Sequence, residues 1–207
     1  MLSKRQLWSV VAVQFVTLIA VSHMATGMYA ERTYLRDEYF AKLGLAQQEV
    51  GVITEVAIQY REEVAALRQE QRRTRFEAYI RSVNPKAPAE EIVKAVLQAE
   101  AETGIDATWL LAKQKQESYF NPHAVSATGC RGLTQMCSAA SQDVGLDPAH
   151  VFQVRANVLA GARYLKLQLL KHQGDMRRAL VRYNGNDDKR FVEKIERHRL
   201  VLLREMV

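Results

Sequence analysis

Between Leu7 and Ala30 the chain contains no Asp, Glu, Lys or Arg. That gap excludes an ordinary solvated amphipathic helix there, because nothing in it supplies a charged face. Proline is almost as scarce: Pro85, Pro88, Pro122 and Pro148 are the whole set, so nothing before Pro85 interrupts a helix by ring constraint. The chain has two cysteines, Cys130 and Cys137, too few for a disulfide scaffold and without the paired spacing of a zinc site. The five histidines, His23, His123, His150, His172 and His198, show no metal-ligand spacing, and Gly129 and Gly132 do not form a phosphate loop. Neither a metal nor a cofactor is implied. Runs of alternating apolar and polar residues are also missing, which points to an all-α protein.

What is present divides the 207 residues into an extended part and one domain with a core. The content of 48% hydrophobic and 25% charged residues excludes a wholly disordered chain. A net charge of +6 fits nucleic acid, anionic lipid or an acidic polymer and does not choose among them. Residues 1–30 read as a transmembrane anchor, since Val10 to Val21 is strongly apolar and about 20 helical residues cross a bilayer. Lys4 and Arg5 precede it, which favours a cytoplasmic amino terminus and an exported remainder. A cleaved secretory signal ending near Ala25-Thr26-Gly27 and a buried soluble helix are the alternatives.

Residues 31–83 read as a helical coiled-coil stalk. Tyr39, Leu43, Ala46, Val50, Ile53, Ala57, Tyr60, Val64 and Leu67 keep one seam at three-four spacing. Residues 39–67 would then join a homo-oligomer or partner helices, the alternative being packing on the chain's own domain. Arg68, Arg72, Arg73, Arg75 and Arg81 read as a solvated face, with lipid or wall contact as the other reading. Asn84-Pro85-Lys86-Ala87-Pro88 ends the stalk and sets the expected domain boundary, leaving residues 84–207 as the core-forming domain.

Within that domain Ile92, Val93, Val96 and Leu97 fit one helix that Gly104 stops, and Trp109 to Gln116 starts the helix that delivers Glu117. Val158, Ala162, Leu165 and Leu169 mark another helix, and a short hairpin is expected near Ser126 to Arg131. A carboxylic acid at the end of an apolar helical run, followed by Ser118-Tyr119-Phe120-Asn121-Pro122, stands where one general acid could work at the mouth of a groove. The basic stretch from Lys189 to Arg199 also carries Phe191 and Ile195, with Leu202 and Leu203 beyond it. It reads as a closing amphipathic helix rather than a nucleic-acid arm.

Five segments in order carry a resemblance: Glu117 to Ser126, Gly129 to Gln135, Asn157, Ala160 to Leu165, and Ala179 to Asn184. Together they resemble the soluble lytic transglycosylase family, whose domain has a lysozyme-like fold. The likeness runs from about Glu91 to Asn186, roughly half the chain. It implies peptidoglycan glycan strands as substrate and Glu117 as both acid and base. The acid would protonate the bond between N-acetylmuramic acid and N-acetylglucosamine. The carboxylate would then take the proton from the 6-hydroxyl, giving a 1,6-anhydro sugar. No second acid lies near Glu117 in these segments, unlike the two-carboxylate hydrolases. Burial beside Tyr119 and Phe120 would raise the acid's pKa.

By the same resemblance Ser126, Gln135, Tyr183 and Asn184 would line the groove, Tyr183 facing the acid and orienting an N-acetyl group or the intermediate. Turn capping for Ser126 and helix-end packing for Tyr183 and Asn184 are the structural alternatives. Glu193 corresponds only loosely to a further family glutamate. The chain departs from the family at Thr134-Gln135-Met136-Cys137-Ser138, where relatives carry methionines and a proline, and at Gly185-Asn186. Cys130 and Cys137 flank that loop and would form a disulfide in an oxidising periplasm or remain two small thiols. Three functions follow as expectations. One is a lytic transglycosylase in the bacterial inner membrane with its domain in the periplasm, serving an envelope-spanning machine, or a phage virion protein acting at genome entry. The second is a non-catalytic glycan-binding component, and the third a hydrolytic muramidase.

Overall fold

A computed structural model describes Ala12, residues 31–185 and residues 188–205. Apart from Ala12, the expected anchor at residues 1–30 lies outside the described residues. Among these, no helix is long and apolar enough to cross a membrane. The described chain is helical: α1 (Glu31–Val83), α2 (Ala89–Thr103), α3 (Ala107–Ser118), α4 (Ser138–Asp143), α5 (Val154–Lys171), α6 (Met176–Asn184) and α7 (Lys189–Glu205), with a 3-10 turn at Pro148–His150. Among the described residues the only extended pairing is two antiparallel bridges, Val125 with Arg131 and Arg131 with Met136.

Two compact units divide the chain at Ala65 and Ala66. In the first, the α1 seam residues Val50, Ile53 and Tyr60 are exposed, and so are Leu45, Val52, Val56 and Ile58, which lie off the seam. Its apolar surface is therefore not confined to one stripe. The second unit takes in the last turns of α1 as well as the region after the prolines. Phe76, Tyr79 and Ile80 sit at three-four spacing on the face that joins Ile92, Val96, Leu111, Phe120, Leu165 and Leu180 in one core cluster. The prolines do end the helix at Val83, but the core reaches back across them, ahead of the expected boundary at Asn84.

Arg72 departs from the expected solvated face. Its guanidinium makes two bonds to the Glu100 carboxylate, Nη1 to Oε2 at 2.6 Å and Nη2 to Oε1 at 2.8 Å, and lies over the Phe76 ring. Arg73 and Arg81 do remain on the helix surface, each paired with Glu77.

Local signals set the remaining helix ends. α2 stops at Gly104, whose φ of 70° is the left-handed conformation glycine adopts readily, and its N–H donates to the Glu100 carbonyl. Asp106 then caps α3 by accepting from Thr108 N–H. α3 ends on two non-glycine left-handed residues, Tyr119 at φ 51° and Phe120 at φ 58°. That reversal sends Phe120 into the core, edge-on to Tyr79, and leaves Tyr119 64% exposed. Packing of α2 on α5, α3 on α7 and α5 on α6 completes the unit. Glu117 is thus one residue from the end of a helix braced against α7.

Candidate active site

The loop between α3 and α4 is held by a buried amide. Asn157 on α5, 1% exposed, donates from Nδ2 to the carbonyls of Val151 (2.8 Å) and Arg131 (3.1 Å). Its Oδ1 accepts from Thr134 N–H and Thr134 Oγ1, both at 2.8 Å. The side chain's polar atoms thus tie the loop to the segment just before α5, where Val151 lies. Two glycines let the loop come this close. A Cβ on Gly132 would sit 2.8 Å from the Val151 carbonyl oxygen, and one on Gly161 would sit 2.6 Å from Thr134 Cβ. Cys130 and Cys137 are joined by a disulfide that brackets Gly132 to Met136. Gln135, at φ 50°, closes the same loop by donating from Nε2 to the Gly132 carbonyl at 2.9 Å.

Held this way, the loop presents the Thr134 carbonyl to two groups from different helices. Lys113 Nζ on α3 donates to it at 2.9 Å and Tyr183 Oη on α6 at 3.0 Å. The Lys113 ammonium also lies 3.5 Å from the centre of the Tyr183 ring and 3.2 Å from Glu117 Oε1. Its side chain is 2% exposed and that of Glu117 is 12% exposed. Spacing of four along α3 puts both on one face, with the carboxylate nearer the helix end and solvent. Tyr183 contacts Met136 Sδ at 3.2 Å and stacks edge-on against Tyr164. Burial pushes the Tyr183 phenol above its ordinary pKa, and the nearby Lys113 charge opposes that rise.

The structure therefore brings Glu117 and Tyr183 together through Lys113, a residue the sequence reading did not single out. A polar residue four positions before a candidate acid, on the same helical face, is the signal that could have found it. The apolar wall expected around Glu117 is not what stands there: Phe120 belongs to the core and Tyr119 faces solvent, and the immediate neighbour is a cation. Ser126 sits in a turn, its Oγ accepting from Cys130 N–H at 3.0 Å and sharing a hydrogen bond with Thr128. Asn184 forms the last residue of α6, just before Gly185.

Glu193 lines a different hollow of about 520 Å³ with His172, Arg177, Arg178, Val181, Arg182 and Val192. Val181 and Tyr183, two residues apart on α6, point to opposite flanks, so that hollow lies away from Glu117. On the Met136 side, Gly129, Arg131, Ser138, Ser141, Gln142, Leu146, Pro148 and Val151 complete a smaller hollow of about 210 Å³. Among the described residues no group of three or more His, Cys, Asp or Glu side chains is placed to hold a metal ion.

Comparison with known proteins bears on the same residues. Membrane-bound lytic murein transglycosylase F 2 of Alkalilimnicola ehrlichii is 39% identical over 72 residues, 33% of this chain and 15% of its own length. Membrane-bound lytic murein transglycosylase F of Shewanella pealeana is 36% identical over 96 residues, 44% of this chain and 18% of its own. This chain thus spans under a fifth of the length of those curated relatives. An inactive mutant of the lytic transglycosylase Slt from Pseudomonas aeruginosa overlaps 53% of this chain and 23% of its own at 17% identity, with a TM-score of 0.49. The family model described as Transglycosylase SLT domain matches residues 94–199, which take in α3, the clasped loop and Tyr183. Matched over just over half its length, the chain belongs to the transglycosylase SLT domain family.

Proposed function

We propose that this protein is a peptidoglycan lytic transglycosylase in which Glu117 is the single acid and base. The observation that carries the reading is the placement of Glu117. Its carboxyl lies 3.2 Å from Lys113 near the end of α3, and Lys113 in turn meets the Tyr183 ring and shares the Thr134 carbonyl of the loop with Tyr183 Oη. As the acid, Glu117 gives its proton to the oxygen bridging N-acetylmuramic acid and N-acetylglucosamine, and that bond breaks. As the carboxylate, it takes the proton of the muramic 6-hydroxyl while O6 bonds to C1. The proton count closes on one side chain, so neither water nor a second carboxylate is needed. Tyr183 Oη, whose hydrogen is directed at Thr134, keeps lone pairs that can accept from an N-acetyl N–H. Ser126, Gln135 and Asn184 complete the groove in this reading.

Both matched curated relatives are named as membrane-bound, and the uncharged run from Leu7 to Ala30 supports an anchor of the same kind here. In this reading the carboxy-terminal unit works in the periplasm, and residues 39–67 meet further helices of an envelope-spanning machine or a virion assembly. The decisive experiment is digestion of purified peptidoglycan with wild type and Glu117→Gln, followed by mass spectrometry. Anhydro-muropeptides from the wild type alone are the expected result. Reducing-end products would instead mark a hydrolase, and no products a glycan-binding module.

A further inference from the structure

Lys113 is the least exposed charged side chain near the site, and its surroundings are specific. One ammonium touches three elements: Glu117 on its own helix at 3.2 Å, the Thr134 carbonyl of the loop at 2.9 Å, and the π face of Tyr183 on α6 at 3.5 Å from the ring centre. A buried ammonium is tolerated only where partners replace its hydration, and these are its partners. Fold stability alone does not require a cation here. An apolar side chain of similar length would fill the space between α3, the loop and Tyr183, and the Glu117 carboxylate, 12% exposed, would keep contact with solvent.

We infer that Lys113 is a positioning residue for catalysis, a fixed counter-charge that holds the Glu117 carboxylate left after proton donation and locks it to Tyr183 and the clasped loop. This rests on the proposed transglycosylase reading. In the reaction Lys113 stays an ammonium throughout. The proton that leaves Glu117 goes to the bridging oxygen, and the one that returns comes from the sugar 6-hydroxyl. What Lys113 supplies is stabilisation of the charge that develops on Glu117 between those two transfers, in a geometry set before substrate arrives. Its contribution belongs to turnover and not to glycan binding, because its contacts are with the acid and the scaffold.

The test uses the full chain in detergent or bilayer, with wild type, Lys113→Met, Lys113→Arg, Glu117→Gln and the double variant Lys113→Met/Glu117→Gln. On soluble glycan strands, Lys113→Met is expected to lower kcat at least tenfold with KM within threefold of wild type. Lys113→Arg, which keeps the charge, should recover part of that loss. Wild-type kcat in Lys113→Met would overturn the inference while leaving the transglycosylase reading intact.

A second readout does not depend on turnover. Glu117→Gln leaves a buried ammonium without its counter-charge, so its melting temperature should fall by about 3 °C or more. Adding Lys113→Met should raise it again. If Lys113→Met instead lowers the melting temperature by the same amount in both backgrounds, the two side chains do not act as a unit and the inference fails. Should the wild type release no anhydro product, it is the function that fails, and the melting comparison still decides the pair.

Discussion

Two carboxylate–cation pairs sit in the same compact unit and are built in opposite ways. Arg72 and Glu100 meet by two parallel hydrogen bonds of 2.6 and 2.8 Å, and Glu100 Oε1 accepts a further bond from Ala107 N–H at 2.8 Å. Lys113 and Glu117 meet through a single Nζ to Oε1 contact of 3.2 Å. The first pair joins α1 to α2 across 28 residues of sequence, and with the Ala107 N–H at the start of α3 three hydrogen bonds hold its carboxylate to the scaffold, which makes it a clamp. The second, although its carboxylate is the less exposed at 12% against 24%, holds that carboxylate by one contact and leaves acceptor positions for a substrate oxygen. A carboxylate whose lone pairs are taken cannot exchange protons with a substrate. One held at a single point can.

The largest expected contrast is in activity. Glu117→Gln should reduce release of anhydro-muropeptides by about 10³-fold or more, the scale of losing a general acid and base together. Glu100→Gln, of the same chemistry, should change kcat by less than about twofold, because the clamp orients nothing that reacts. Quantifying products from both variants on one peptidoglycan preparation checks the contrast. A comparable loss in the two would mean that α1 and α3 are coupled through the reaction and that the distinction drawn here is wrong.

In stability the order reverses. Arg72→Met removes both bonds to Glu100 and the stacking on Phe76 and leaves the carboxylate facing Ala107 N–H alone. The side chains are 28% and 24% exposed, so the loss lies below that of a fully buried pair, about 2 kcal/mol, or 4–8 °C in melting temperature. Reducing the Cys130–Cys137 bond frees a loop of only a few residues, and chain entropy assigns that about 2 kcal/mol or slightly more. Its effect should nevertheless fall on the Lys113 side of the comparison. Reductant is expected to cut activity below 37 °C, where Arg72→Met retains it, because the disulfide brackets the Thr134 carbonyl that anchors Lys113 and Tyr183. Thermal scans and initial rates measured with and without reductant separate the two.

How far the sequence led depends on the range of the forces involved. Gly104 as the end of α2, the break after Val83 and Glu117 near the end of α3 all follow from local backbone preferences, and all three were legible. Phe76, Tyr79 and Ile80 were read as part of a stalk, because three-four spacing shows that a face is apolar without showing what it packs on. Arg72 was read as solvated, since its partner lies 28 positions away and charge spacing reports only neighbours on the same helix. Lys113 was missed for a different reason. A lysine inside the run Trp109 to Gln116 reads as the polar stripe of an amphipathic helix, and only tertiary packing makes it the most enclosed cation of the site. The Asn157 hub was legible as a position in a resemblance but not as a set of bonds.

The smallest effect lies on the far face of α3, and it tests whether charge there is merely tolerated. His198 on α7 has its pKa pushed down first by burial and then by Lys115, Arg197 and Lys194, so the folded chain favours the neutral imidazole. An unfolded histidine begins to bind a proton near its ordinary pKa of about 6.5. As pH falls through that value the unfolded state takes up the proton before the folded state does, and the folded state loses stability until its own lower pKa is passed. Above about pH 7 His198 contributes nothing to this slope. His198→Gln should therefore leave the melting temperature at pH 7.5 nearly unchanged and make its decline toward pH 5 shallower. The difference should be only a few tenths of a kcal/mol, about 1 °C, because the imidazole is half-exposed and its neighbours are screened. A steeper acid decline in His198→Gln than in wild type would mean that the protonated imidazole is stabilised in the fold, and that α7 supplies it with an acid partner outweighing those three cations.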